Sequence, residues 1–226
     1  MHILRTNFNG NPNIGLFGIA TDEYCIIGSR LNQHLIEEIE KVLEVPVIHT
    51  TICGTEMAGV FCAANSNCLL LPDLMFENEL AILKKHKINY EIIKTRHTAL
   101  GNNILCTDSG CIVSKELEKD TISNIEKALK VKAVKSKISK LDIIGSTAVI
   151  NDKGCLVHED IKKEEKDLIE EILHTRCKTG TINLGSPYIK AGMIANSKGF
   201  VISNNSGGPE IANADEALGF VRGVED

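Results

Sequence analysis

The chain has 226 residues, a formal net charge of −5 and a hydrophobic fraction of 43%, which suits one large domain or two small ones. No basic segment followed by an apolar run opens it, and no stretch has the roughly 18 apolar residues of a membrane span, so we expect a cytoplasmic protein. The acidic balance argues against a protein that holds nucleic acid mainly by neutralising phosphates, and the eight Cys are expected to be reduced thiols.

The first predicted element is a strand over residues 1–8, which has no helix before it. A β-hairpin follows over residues 19–27, where apolar segments flank a short polar turn. Apolar residues then recur at helical spacing over residues 35–43, and a return strand covers residues 45–52. The first part of the chain therefore predicts a hairpin, a helix and a strand in that order.

The same order recurs along the whole chain at intervals of about 44 residues. The remaining predicted hairpins cover residues 62–70, 105–113, 149–157 and 194–202. The helices after them have apolar faces at Leu80 and Leu83, at Ile122, Ile125 and Leu129, at Leu168, Ile172 and Leu173, and over residues 211–218. Return strands are predicted over residues 88–93, 131–138 and 178–184.

Two marks accompany the predicted hairpins. The residue after each turn is Cys25, Cys68, Cys111, Cys155 or Phe200, which indicates a shared packed site, because free Cys behaves as a small hydrophobe. Upstream of each hairpin a glycine indicates a tight bend or a close backbone approach on one rim, at residues 14–15, 53–54, 100–101, 144–145 and 191–192. The turns at 151–154 and 196–199 begin with Asn and end with Gly, which predicts a type I turn closed by a left-handed Gly.

Little chain remains after the fifth helix, so the N-terminal strand is predicted to complete the fifth unit. Closing the ring in this way removes exposed sheet edges and brings the two termini together. The prediction is a single α/β domain of five repeats, at about 14–52, 53–99, 100–143, 144–190 and 191–226 plus 1–13.

No single repeat carries a distinct set of catalytic residue types that the other repeats lack. Cys177 is the most suggestive candidate nucleophile, but it lies at a predicted helix end, and a surface or capping role is favoured for His97. The seven His are scattered and no Cys-x-x-Cys pair occurs, which predicts no metal site. Phosphate-binding and dinucleotide-binding loops are missing as well, so we expect no cofactor and favour a binding protein over an enzyme.

Six Lys and no acidic residue occupy residues 127–140. The run is typical of a solvated strand face. The alternative is a local contact with RNA through Lys132, Lys135 and Lys137.

Ordered motifs run along nearly the whole chain: Phe8 with Ile14-Gly15, Pro46-Val-Ile-His49 with Ile52 and Gly54, Leu69-Leu-Leu-Pro72, Ala99-Leu-Gly-Asn102, Gly145-Ser146, Gly154-Cys-Leu-Val-His158, Gly180-Thr-Ile-Asn183 with Gly185-Ser186, and Ala191-Gly-Met193. In these motifs the chain resembles the archaeal and eukaryotic translation initiation factor 6 family. The resemblance implies the pentein fold, a fivefold pseudosymmetric α/β propeller. It also implies a monomeric, non-enzymatic factor that binds the large ribosomal subunit at its intersubunit face and keeps the small subunit away.

In that family the partner is a ribosomal protein surface near the sarcin–ricin loop, with limited contact to ribosomal RNA. The resemblance implies docking through the rim of glycine turns, which here points to Asn102, Asn103, Ser146 and Thr147, and to Val60. The rival hypothesis is a guanidine-modifying pentein enzyme, of the deiminase or amidinotransferase kind, with a Cys nucleophile. Such enzymes usually have that Cys late in the chain, whereas no thiol follows Cys177 here.

Overall fold

Fifteen strands form five three-stranded sheets in the computed structural model, which describes residues 2–221. In chain order the strands are β1 (Ile3–Thr6), β2 (Gly18–Ala20), β3 (Cys25–Ile27), β4 (Val47–His49), β5 (Ala63–Ala64), β6 (Leu69–Pro72), β7 (Tyr90–Ile93), β8 (Ile104–Cys106), β9 (Cys111–Ser114), β10 (Ala133–Ser136), β11 (Ala148–Ile150), β12 (Cys155–His158), β13 (Cys177–Gly180), β14 (Met193–Ala195) and β15 (Phe200–Ser203).

Five helices and five single helical turns complete the units. The helices are α1 (Gln33–Leu43), α2 (Glu77–Lys85), α3 (Lys119–Leu129), α4 (Lys163–Leu173) and α5 (Gly208–Ala217). The single turns, which we call the axial turns, are Ile14–Leu16, Ala58–Phe61, Leu100–Asn103, Ile144–Ser146 and Ile189–Gly192. None of the helices in residues 2–221 has the length and apolar character that a membrane crossing needs.

Every sheet has the same strand arrangement. The middle strand pairs antiparallel with the inner strand of its hairpin and parallel with an outer strand. The inner strands contact one another in cyclic order, from β2 through β5, β8 and β11 to β14 and back to β2. This arrangement is a fivefold pseudosymmetric α/β propeller, as predicted.

The N-terminal strand closes the ring. β1 pairs parallel with β15, with Ile3 opposite Phe200. His2 Nε2 lies 2.7 Å from Asp215 Oδ1 on α5, so the start of the chain also contacts the last helix. The prediction that the fifth unit takes its outer strand from the N-terminus is confirmed.

Each helix packs between neighbouring sheets, and its buried face agrees only in part with the predicted spacing. On α2 and α3 the predicted Leu80 and Ile122 are only partly buried, and the preceding residue is buried instead. On α1 the buried residues are Leu35, Ile39, Val42 and Leu43, as expected. On α4 they are Glu165, Ile169 and Leu173, whereas Leu168 and Ile172 are only partly buried. Glu165 turns inward because its carboxylate accepts hydrogen bonds from two backbone N–H groups, of Ser139 at 2.8 Å and Lys162 at 3.2 Å.

The shared Cys position holds for three hairpins, not four. Cys25, Cys111 and Cys155 each lie opposite the last residue of the inner strand, and Phe200 does so in the fifth hairpin. In the second hairpin that residue is Leu69, which pairs with Ala64. The turn there begins one residue later than predicted, because Asn65 N–H bonds the carbonyl of Cys68. The predicted alignment of the second repeat, which matched Cys68 to the other cysteines, is therefore wrong by one residue.

The glycines of the hairpin turns were predicted to adopt a left-handed conformation, but the structure gives them another role. Neither Gly154 nor Gly199 has a positive φ. A side chain at Gly154 would overlap the carbonyl oxygen of Ala217, and one at Gly199 would overlap that of Val42. Glycine is therefore required because the helix of the next unit ends directly against the hairpin turn.

The ring has two different faces. The turn face carries the hairpin turns at 21–24, 65–68, 107–110, 151–154 and 196–199, together with the C-terminal ends of the helices. The loop face carries the loops that leave the outer strands, at 7–13, 50–57, 94–99, 137–143 and 181–188, together with the helix N-termini and the axial turns.

Candidate functional site

The centre of the loop face is a ring of close backbone contacts between the axial turns. A side chain at Gly59 would overlap the carbonyl oxygen of Gly15, one at Gly101 that of Gly59, and one at Gly145 that of Gly101. The fifth equivalent position is Lys190, whose carbonyl in turn contacts Gly15. The predicted rim of glycines exists, but two of its members were assigned wrongly: Gly59 replaces Gly54, and Lys190 replaces Gly192.

The predicted docking residues Val60, Asn102 and Ser146 occupy equivalent positions, each following the close-contact glycine of its axial turn. All three are partly exposed on the loop face. Asn102 and Ser146 line a cavity of about 270 Å³ at the centre of this face, together with Asn13, Ser186, Tyr188 and Lys190 among others. The structure thus brings Asn102 and Ser146 together, and Val60 lies on the same ring of turns.

The next residue of each turn points inward, so two predicted docking residues do not present side chains on this surface. Thr147 is fully buried and its hydroxyl donates to the carbonyl of Ile144 at 2.8 Å. Asn103 is also buried and donates to the carbonyl of Ala99 at 2.8 Å. Both side chains satisfy the axial turn that holds them, so exposure does not support a docking role for Asn103 and Thr147, which stays a prediction.

Exposed apolar side chains lie at two edges of the loop face, and sequence patterning did not identify them. Met57, Leu74 and Phe76 are 41%, 54% and 55% exposed at one edge of the loop face, and Leu184 and Tyr188 are 78% and 43% exposed at another. The sixth exposed large apolar residue among residues 2–221, Val221, lies outside this face. An apolar cluster on a solvated loop face is a feature of interaction sites.

Glutamates at two helix N-termini, one buried and one partly buried, hold these apolar loops in place. Glu79 on α2 accepts hydrogen bonds from the Thr51 hydroxyl at 2.6 Å and from the backbone N–H groups of Gly54 at 2.8 Å and Phe76 at 3.0 Å. It is fully buried. The same carboxylate therefore caps its own helix and fixes the loop that leads to Met57.

Glu210 on α5 does the same for the loop that carries Leu184. It accepts N–H groups of Leu184 at 3.1 Å and Gly185 at 2.9 Å, and the Thr181 hydroxyl at 2.8 Å. Burial by itself would raise the pKa of Glu210, but the hydrogen bonds from Gly185, Gly207, Leu184 and Thr181 outweigh it and hold the pKa below its usual value.

Lys190 is the position where the fivefold symmetry of the centre is broken. Its Nζ crosses the axis and donates to the carbonyl of Gly101 at 2.8 Å, next to Asn102. The side chain lines both the loop-face cavity and the narrow axial cavity of about 100 Å³ beneath it. Burial lowers the pKa of Lys190 to about 8.

The predicted RNA-contact lysines lie away from this centre. Lys132 is exposed just before the outer strand β10, Lys135 is exposed within it, and Lys137 is partly buried just after it. The Lys135 ammonium donates to the carbonyl of Lys115 at 2.9 Å. These residues follow the outer rim from the turn face to the loop face, so an RNA contact through them stays a prediction.

The cysteines are arranged for packing. Cys177 is buried at the start of β13, opposite Cys155. Cys106 lines the axial cavity, but the described residues that line this cavity include neither a His nor a carboxylate. His97 lies on the loop face, with its backbone N–H bonded to the Thr95 hydroxyl. Within residues 2–221 no group of three His, Cys, Asp or Glu side chains is placed to hold a metal ion.

Comparison with known proteins identifies relatives along nearly the whole chain. A family model described as the eIF-6 family matches residues 3–217. Translation initiation factor 6 of Thermococcus gammatolerans is 41% identical over 227 residues, covering 98% of this chain and 100% of the relative. The factor of the same name from Staphylothermus marinus is 37% identical over 222 residues, covering 96% and 98%.

Solved structures with the same fold include enzymes. A dimethylarginine dimethylaminohydrolase carrying an S-methyl-L-thiocitrulline adduct aligns with a TM-score of 0.51 at 14% identity, covering 74% of this chain and 68% of that one. The N-terminal domain of ArgZ, covalently bound to a reaction intermediate, also aligns with a TM-score of 0.51, at 10% identity, covering 84% and 72%. At this identity the similarity shows the pentein fold alone.

Proposed function

The chain belongs to the eIF-6 family of translation initiation factors, and from that premise we propose that it binds the large ribosomal subunit through its loop face and prevents premature joining of the small subunit. The observation that carries the proposal is the concentration of exposed apolar side chains around a polar centre on one face of the ring. A rigid ring docked by this face would block the small subunit sterically.

A ribosomal protein surface near the sarcin–ricin loop is the partner that we propose for this face. Apolar anchors such as Phe76 and Tyr188 suit a protein surface, since aromatic side chains are enriched in protein interfaces. The net charge of −5 supports only limited contact with ribosomal RNA, because binding through phosphates needs a basic surface. We propose that the protein acts as a monomer in the cytoplasm.

The second candidate function is guanidine modification by a Cys nucleophile, which the fold of the two enzyme structures suggests. That chemistry needs a thiolate beside a base. Cys106 borders the axial cavity together with Lys190 but with no described His or carboxylate in its lining. Burial also raises the pKa of Cys62, the other thiol near the axis. These features support a binding protein without enzymatic activity.

Sedimentation with purified ribosomal subunits tests the proposal. We expect the protein to pellet with large subunits, not to pellet with small ones, and to reduce subunit joining. Asn102→Ser removes an amide from the central cavity and should weaken large-subunit binding about fivefold, or about 1 kcal/mol, because it removes one polar contact at the interface.

The matched control for Asn102→Ser is Lys198→Glu, a change at an exposed residue of the turn face. It should bind as the wild type does. Equal binding to both subunits, or conversion of a guanidino substrate by the purified protein, would reject the proposed function.

A further inference from the structure

Lys190 lies at the centre of the loop face with little to balance its charge. In the other four axial turns the equivalent residue is a glycine, so no side chain enters the axis there. The Lys190 ammonium has three N–H groups, and its hydrogen-bond acceptor among residues 2–221 is the single carbonyl of Gly101. Two N–H groups therefore remain for the cavities that Lys190 lines.

The two cavities beside Lys190 lack a counter-charge. The titratable groups that face the ammonium are the thiols of Cys62 and Cys106, and the phenol of Tyr188 lines the loop-face cavity. No described residue that lines either cavity is an Asp, a Glu or a second cation. A partly buried cation without an anion is unfavourable, so an arriving anionic group would be attracted to it.

We propose that the loop-face cavity is a carboxylate-binding site, in which the Lys190 ammonium receives an acidic side chain of the docked ribosomal protein. The proposal rests on the proposed function and specifies the chemistry of the partner at the centre of the interface. Asn102, Ser146 and Tyr188 line the same cavity and supply neutral hydrogen-bonding groups around the ammonium.

The charge of the cavity favours a carboxylate over an RNA phosphate. About 270 Å³ accommodates the end of an Asp or Glu side chain. An RNA backbone brings several neighbouring phosphates, which are normally neutralised by several Lys or Arg residues. The described cavity lining holds one cation, which matches one carboxylate.

The site makes docking dependent on pH in a definite direction. The pKa of Lys190 is lowered to about 8 in the free protein, so the ammonium is largely protonated at neutral pH and becomes a neutral amine as the pH rises. A carboxylate loses its partner when the amine is neutral. Binding should therefore weaken as the pH rises through about 8.

The experiment compares wild type, Lys190→Met, Lys190→Arg and the control Lys198→Met in large-subunit sedimentation from about pH 7 to about pH 9. The wild type and Lys198→Met should lose about tenfold in affinity over this range, since about one tenth of an amine with a pKa of about 8 stays protonated at pH 9. Lys190→Met should bind weakly at every pH. Lys190→Arg should bind with no such decline, because arginine stays charged.

Thermal unfolding of each variant checks that the ring is folded. If Lys190→Met binds large subunits with the same affinity and the same pH dependence as the wild type, the carboxylate site is overturned and the proposed function stays intact. If the wild type itself fails to bind large subunits at neutral pH, the proposed function fails instead.

Acetate and inorganic phosphate serve as probes of the cavity in the free protein. Acetate should shift the NMR signals of the Gly101 and Asn102 amides in the wild type and not in Lys190→Met. A response to phosphate without one to acetate would overturn the carboxylate assignment. A response to acetate combined with unchanged ribosome binding by Lys190→Met would mean that the site takes a free carboxylate, which overturns the assignment to a ribosomal side chain.

Discussion

The two faces of the ring use their polar residues differently. On the turn face, Asn196 donates to the carbonyls of Thr21 at 3.0 Å and Leu43 at 2.8 Å, both in the next unit. Asn151 and Asn65 make the same kind of bond to the units that follow them. These residues act as a seam that joins neighbouring units.

The acidic residues of the turn face also contribute to this seam. Asp22 accepts the N–H of Ser197 at 2.8 Å, and Asp108 accepts that of Ser66 at 2.9 Å. Burial, followed by the charges of Asp22 and Asp108, raises the pKa of the neighbouring Asp152. The polar side chains of this face therefore mainly satisfy the protein itself.

The loop face exposes large apolar side chains to solvent. Phe76 and Leu184 are more than half exposed, although the backbone beneath them is fixed by the carboxylates of Glu79 and Glu210. Rigid loops that display apolar groups lose little conformational entropy on docking. The contrast teaches that the turn face maintains the ring, whereas the loop face is the surface available for binding.

The largest expected effect is on stability, at the turn-face seam. Asn196→Ala removes two donor bonds to the next unit and two acceptor bonds to the N–H groups of Lys198 and Gly199. We expect a loss of about 3 kcal/mol in the free energy of unfolding, because buried carbonyls are left unpaired. Urea unfolding measures this loss, and large-subunit binding by the folded fraction should stay unchanged.

The control for the seam is Thr107→Ala. Thr107 occupies the same turn position, but its hydroxyl accepts a local N–H, from Ser109, and makes no bond to the next unit. Its loss should stay below about 1 kcal/mol. Equal losses for Asn196→Ala and Thr107→Ala would contradict the role of Asn as the link between units.

The second prediction concerns the loop face, where a substitution should affect binding rather than stability. Phe76→Glu places a charge on a side chain that is 55% exposed, so unfolding should change by less than about 0.5 kcal/mol. Binding to large subunits should weaken by about 2 kcal/mol, or about 30-fold, since an exposed aromatic anchor of the proposed interface is lost. If Phe76→Glu binds as tightly as the turn-face variant Lys198→Glu, the two faces do not differ in function.

The third prediction concerns the carboxylate that fixes the second apolar loop. Glu210→Gln should lower the free energy of unfolding by about 1 kcal/mol at neutral pH, the usual cost of losing a helix cap. Because the pKa of Glu210 is lowered in the folded state, its stabilisation is present above the unfolded pKa and disappears as the pH falls through the folded pKa. Urea unfolding should therefore show that the free energies of unfolding of the wild type and Glu210→Gln converge as the pH is lowered. A difference that stays constant with pH would contradict this.

The smallest effect is expected for the outer rim. Replacing Lys132, Lys135 and Lys137 by Ala should leave affinity at physiological salt within about twofold if these residues are a solvated strand edge. Sedimentation at several salt concentrations gives the decisive measurement. A flatter dependence of affinity on salt in the triple variant would instead assign this rim to ribosomal RNA.

Much of the fold was readable in the sequence because its elements depend on local periodicity. The period-two segments predicted the hairpins, and the spacing of Leu35, Ile39 and Val42 predicted the buried face of α1. Two of the errors were errors of register. The prediction put Cys68 at the position that Leu69 occupies, and Gly54 at the position that Gly59 occupies. Similar residues recur a few positions apart, and only the strand pairing and the backbone contacts in the structure distinguish them.

The candidate site was predicted less completely. Asn102 and Ser146 each follow a glycine that the sequence marked, and both lie on the predicted rim. The inward orientation of Thr147, and the exposure of Met57, Phe76 and Leu184, have no signature in spacing. Exposure of an apolar side chain depends on which element covers it, and that is a property of the assembled ring.

The sequence by itself determined the repeated hairpin, helix and strand, because alternating apolar residues and turn residues act over short distances. A predicted strand with no helix before it also indicated closure by the N-terminal strand. Only the tertiary structure decided which surface is free. It placed the glycine turns in contact around the axis, turned the Asn side chains into a seam between units, and brought Lys190 across the ring to Gly101. These contacts join residues far apart in the chain, so they depend on how the five units close around the axis.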